Sequence, residues 1–138
     1  MDLKLSCPEL LKTDAYINGE WVSSKDTISV YDPSDGTCVA KVAKMGAGET
    51  DHAINAAEQA LKPWQQKTSK QRANLLRRWC ELILENQEDL AQILTAEQGK
   101  VLAEARGEIT YGASYIEWFA EEAKRVYGDT IPAPSGDK

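Results

Sequence analysis

Little in this chain is built for chemistry. Its three cysteines, Cys7, Cys38 and Cys80, are odd in number and far apart, which gives neither a disulfide framework nor metal-ligand spacing. They read as reduced thiols of a cytoplasmic protein. Cys80 follows Trp79 in a helical apolar pattern and is expected in the core. His52 is the single histidine; it sits beside Asp51, off the apolar stripe, as a surface residue does. No Lys/Arg cluster interrupts a net charge of -6, so a nucleic-acid partner is excluded. No apolar run approaches the ~18 residues of a membrane span, and residues 1–14 carry no signal-peptide pattern. Gly46 and Gly48 lack the third glycine of a dinucleotide loop, and there is no Ser-centred elbow, Cys-x-x-Cys or histidine pair. No catalytic and no cofactor-binding residue can be named.

What is present is patterned for folding. The spacing predicts an α+β chain: a loose arm over 1–14, an antiparallel β-meander over 16–44, then three to four helices over 49–127. Tyr16–Val22 contains Asn18-Gly19, the signal for a tight hairpin turn. Ile28–Tyr31 and Thr37–Ala43 alternate as half-buried strands and flank the turn Asp32-Pro33-Ser34-Asp35-Gly36. The first helix is expected over Glu49–Leu61, with Pro63 ending it and Trp64 packed underneath. Its small residues Ala53, Ala57 and Ala60 suit a close neighbour. Thr68 or Ser69 caps the second helix, which runs to Leu84 with Ala73, Leu76, Trp79, Cys80 and Ile83 inward and Asn74 exposed. Asn86 caps the third, Glu88–Ala96, with Leu90, Ile93 and Leu94 inward.

The last helix organises the chain. Leu102, Ala105, Ile109, Gly112/Ala113, Ile116, Phe119/Ala120, Ala123 and Val126/Tyr127 recur at steps of three and four. Gly99 and Gly128 stand where the third and fourth helices need a left-handed residue to stop, and Pro132 and Pro134 forbid continuation. Glu121 to Arg125 adds an i,i+4 ion pair. Glu104 and Glu108 share a face and read as solvated charge. Residues 133–138 are linker-like. Tyr111, Tyr115, Trp118, Phe119 and Tyr127 spread around most of this helix, more apolar surface than its upstream partners can cover.

The same stretch carries a likeness. Glu97-Gln98-Gly99-Lys100, Gly107-Glu108-Ile109 and Ile116–Glu122 resemble the N-terminal part of an aldehyde dehydrogenase. So do Tyr16–Trp21, Tyr31–Gly36, Ala60–Trp64 and Ser69–Leu76, in the right order. Within that superfamily the chain is most similar to succinate-semialdehyde or glutarate-semialdehyde dehydrogenases. Val101 departs from the family, which has proline there.

The resemblance implies a parent enzyme of α/β aldehyde dehydrogenase fold, about three times this length, oxidising succinate semialdehyde to succinate with NADP or NAD. It implies that residues 15–132 are the N-terminal segment, and that the nucleophilic cysteine, the general-base glutamate and the nucleotide segment all lie beyond Lys138. The fragment alone is then expected to be inactive and to bind no cofactor. Its partner is the remainder of its own chain, in a homo-oligomer. By the same resemblance Tyr111, Tyr115 and Trp118 flank a substrate tunnel, and Glu97 lies near a monovalent cation with a carbonyl close to Tyr31. The competing expectation is a stand-alone helical module that uses its aromatic helix to bind a partner.

Overall fold

The computed structural model describes residues 3–136; expectations for residues 1–2 and 137–138 lie outside these. The α+β class holds, with four helices following short antiparallel strands. The four strands form two separate pairs instead of one meander. β1 (Ala15–Ile17) and β2 (Glu20–Val22) pair through Tyr16 opposite Trp21. Asn18 (φ 54°) and Gly19 (φ 86°) make the turn, both left-handed, which matches the twist of the flanking strands. β3 (Thr27–Tyr31) and β4 (Cys38–Ala43) form the second pair, with a register shift between Val30 and Tyr31. Their turn is closed by buried Asp32, whose carboxylate accepts from the Ser34 N–H (2.8 Å) and hydroxyl (2.6 Å).

The arm is not loose. The Ser6 and Cys7 N–H groups donate to the carboxylate of Asp89 at 3.0 and 2.7 Å, and the Thr13 carbonyl accepts from the Ala43 N–H at 2.7 Å.

α1 (Ala47–Gln65) runs through Pro63 instead of stopping there. Proline's φ is helical, and this far along the helix it removes a single bond. The Gln66 N–H to Lys62 carbonyl bond then completes the turn. α1 buries no residue; its alanines face the β1–β2 turn across an open cleft, and Trp64 stays partly exposed. α2 (Ser69–Glu85) starts at Thr68 in a full capping box with Gln71. Asn86 does not cap α3 (Gln87–Gln98) with its side chain; its amide donates to the Leu82 carbonyl and finishes α2. Gly99 ends α3 at φ 76°.

α4 (Leu102–Glu122) packs on α2 and α3. The core between them is made of small residues: Ala73 and Cys80 on α2, Ala91 and Ala96 on α3, Ala105, Ala113 and Ala120 on α4. Side chains this small let the helix axes approach closely. No large side chain among the described residues is fully buried, and Trp79, expected inward, is exposed. α4 also ends earlier than its pattern suggests. Val126 (78% exposed) and Tyr127 (80%) are left largely uncovered, and Gly128 is not left-handed. A helix end without packing has little to hold it, and bonds from the Lys124 and Arg125 N–H groups to Glu121 and Glu122 close the last turn tightly. The side-chain pairs shift accordingly: Arg125 meets Glu122 (3.4 Å) and Lys124 meets Glu121 (2.8 Å), in place of Glu121–Arg125.

Candidate functional site

The alanines of α4 turn one side of the helix to the core, so its large residues stand on the other. Tyr111, Tyr115, Trp118 and Phe119 follow at helical spacing and line an open cleft of ≈ 910 Å³ with Glu122 and Arg125. Trp118 is 63% exposed and its aromatic neighbours are similar. Tyr111 and Tyr115 meet edge to face, ring centres 4.9 Å apart, with their hydroxyls hydrogen-bonded. That hydrogen bond, and then partial desolvation, raise the Tyr115 pKa, so its phenol stays neutral. The result is an apolar wall with two hydroxyls, bordered by the charged Glu122 and Arg125 and able to contact a small organic molecule. The structure thus brings Tyr111, Tyr115 and Trp118 onto one surface.

Glu97 lies apart from them, exposed in the last turn of α3. The contact of Gly99 with Pro33 sets that helix end beside the β3–β4 turn, which begins after Tyr31. No group of three or more His, Cys, Asp or Glu side chains among the described residues is placed to hold a metal ion.

The surroundings of Cys7 do not activate it as a nucleophile. The Cys7 thiol donates to Glu9 at 3.2 Å, and this raises its pKa, the opposite of thiolate activation. Cys80 is buried in the helical core and Cys38 is exposed.

The start of α1 is not an open phosphate site. The glycine-flanked start of α1 is already filled by a carboxylate: Glu49 accepts from the Gly46 N–H at 2.9 Å. Main-chain N–H groups, its own first, lower the Glu49 pKa and keep it ionised. A phosphate approaching that helix start would meet a negative charge.

Sequence reading missed Asp89, which is 4% exposed and joins the arm to α3. Its partners lie more than eighty positions upstream, and nothing local marks it beyond an acidic first turn. The Asp32 turn was legible, because aspartate before Pro-Ser favours such a bond.

The aldehyde dehydrogenase family model matches residues 21–138. The chain belongs to the aldehyde dehydrogenase family. It is 59% identical over 138 residues to a 3-sulfolactaldehyde dehydrogenase of Pseudomonas putida, covering 99% of this chain and 28% of that protein. Identity is 54% to a glutarate-semialdehyde dehydrogenase of Pseudomonas putida, with 99% and 29% covered. It is 52% to the NADP+-dependent succinate-semialdehyde dehydrogenase of Escherichia coli, with the same coverage. Among solved structures, an aldehyde dehydrogenase from Brucella melitensis superposes with a TM-score of 0.95 at 51% identity, over 97% of this chain and 28% of that one. A succinate-semialdehyde dehydrogenase from Burkholderia pseudomallei does so at 0.92 and 54%, over 96% and 28%. The chain therefore spans less than a third of the length of the relatives it matches. No helix among its described residues is long and apolar enough to cross a membrane.

Proposed function

We propose that this chain is the N-terminal part of an NAD(P)-dependent dehydrogenase that oxidises succinate semialdehyde to succinate, and that alone it is catalytically silent. The observation that carries this is uncovered surface. The chain exposes 10364 Å², against about 7,100 Å² expected by scaling for a folded monomer of its mass. The excess includes the aromatic face of α4 and the residues after it, and the remaining dehydrogenase polypeptide is the natural cover. That polypeptide would supply the thiolate, the general base and the dinucleotide site. Tyr111, Tyr115 and Trp118 then wall the path of the aldehyde, and Glu97 contributes to a monovalent cation site near Tyr31. The assembled enzyme is a cytoplasmic homo-oligomer, in keeping with three free thiols.

The relatives' names support a substrate class. Succinate and glutarate semialdehydes end in a carboxylate and 3-sulfolactaldehyde ends in a sulfonate, so the shared feature is a short aldehyde with an anion at its far end. The experiment measures NAD(P)H formation with each of the three aldehydes. It compares this chain with the product of the reading frame carried past Lys138. Turnover of succinate semialdehyde by the long product alone is expected. Preference for another of the three would move the substrate and leave the class. Turnover by the 138-residue chain itself would overturn the proposal.

A further inference from the structure

We infer that the N-terminal arm is a detachable strap and that Asp89 is its latch. Among its described residues the arm has few other polar ties to the fold. Its one regular element, a single 3-10 turn at Pro8–Leu10, buries no residue. Its leucines, Leu3, Leu5, Leu10 and Leu11, are mostly covered, though none is fully buried. Among the described residues of 3–12, the only hydrogen bonds to the rest of the fold are those from Ser6 and Cys7 to Asp89. Beyond them Lys12 lies over the Trp21 ring at 5.1 Å, and Thr13 accepts from Ala43.

The carboxylate is committed to this task. Asp89 is the third residue of α3, where an acidic side chain ordinarily folds back onto the N–H of the residue before the helix. That N–H, of Asn86, is instead bonded to the Leu82 carbonyl. Asp89 is free to reach across, and each of its oxygens accepts one main-chain N–H of the arm. Bonds to a buried carboxylate are the strong kind. Its neighbours on α3 hold the bundle by other means: Glu88 pairs with Arg106, and Gln87 donates to the Arg106 carbonyl and the Thr110 hydroxyl. Bundle and strap are thus fastened by separate side chains of one helical turn, so the strap opens with α2–α4 intact.

Hydrogen exchange read by mass spectrometry tests this on wild type and Asp89→Asn. The substitution leaves the arm with one acceptor oxygen and sets an amide against an N–H. Peptides covering residues 3–13 should exchange at least about tenfold faster while those of α2–α4 keep their protection. An unchanged arm, or loss of protection in the arm and helices together, overturns the latch. The substitution is also made in a chain lacking residues 2–11, which keeps the test decisive if the first variant folds poorly. There it should leave the thermal midpoint unchanged, because the latch has nothing to hold. A lowered midpoint in that background would place Asp89 in the bundle instead and sink the inference.

Discussion

Gly99 lies so close to the Pro33 ring that a Cβ added to it would stand 2.7 Å from the proline Cγ. Two constraints meet at this point. The backbone is left-handed, with φ 76°, and the contact joins the end of α3 to the turn between β3 and β4. Gly99→Ala should therefore cost about 2 kcal/mol or more, from positive-φ strain together with overlap. Pro33→Ala in the same chain removes the Cγ and should recover the overlap part while the backbone part remains. Urea unfolding of the two single variants and the double variant separates them. Additive losses would mean that the contact is loose.

The start of α4 offers the opposite case. Val101 holds φ at -60°, the angle a proline ring imposes, and 66% of it is exposed. Standing before the first helical residue, it gives no N–H to the helix ladder. Val101→Pro should raise stability by about 0.4–1 kcal/mol through a less free unfolded chain. A fall in the urea midpoint would show that Lys100 cannot adopt the extended backbone required before proline.

These sites show where sequence reading reaches and where it stops. The left-handed stop at Gly99, the Asn18-Gly19 turn and a cap for α2 at Thr68 or Ser69 were legible, because each is written in neighbouring residues and obeys local sterics. Pro33 as the neighbour of Gly99 was not, nor was Asp89 as the anchor of the arm. Both contacts join distant stretches, and one sequence carries no signal for them. The end of α4 misled for a related reason. Val126 and Tyr127 continue the apolar period, but a period forms helix only where something covers it. The aromatic face was readable as a surplus of large residues; that it stands wholly outside follows from alanines filling the interior.

Acid should loosen the junction of α3 with α4. Arg106 donates to both oxygens of Glu88, at 2.7 and 2.9 Å, and this hydrogen bonding lowers the Glu88 pKa. A carboxylate whose folded pKa is depressed stabilises the fold above its unfolded pKa. That contribution is lost as pH falls through the folded value. The pair is exposed, so its effect is small and screened by salt. Thermal midpoints measured from neutral to acid pH should fall less steeply in Glu88→Gln than in wild type, and the gap should narrow in high salt. Parallel curves would mean that the pair contributes nothing measurable.

The tyrosine pair on α4 predicts a shift at the other end of the pH scale. Tyr115 is raised first by its bond with the Tyr111 hydroxyl and second by desolvation. For a group raised in the folded state, the stabilisation is complete below the unfolded pKa and disappears as pH rises through the folded one. In Tyr111→Phe the bond is gone, so one tyrosine should ionise at lower pH in a spectrophotometric titration, with the desolvation part retained. Stability at neutral pH should change by under about 0.5 kcal/mol, since both rings lie at the surface. In the long product the same substitution should raise KM for the aldehyde more than it lowers kcat, because a wall residue contacts substrate before and during the reaction alike. An unchanged titration would mean that the hydroxyls do not bond in solution. A loss confined to kcat would remove Tyr111 from the substrate path and give it a part in the reaction.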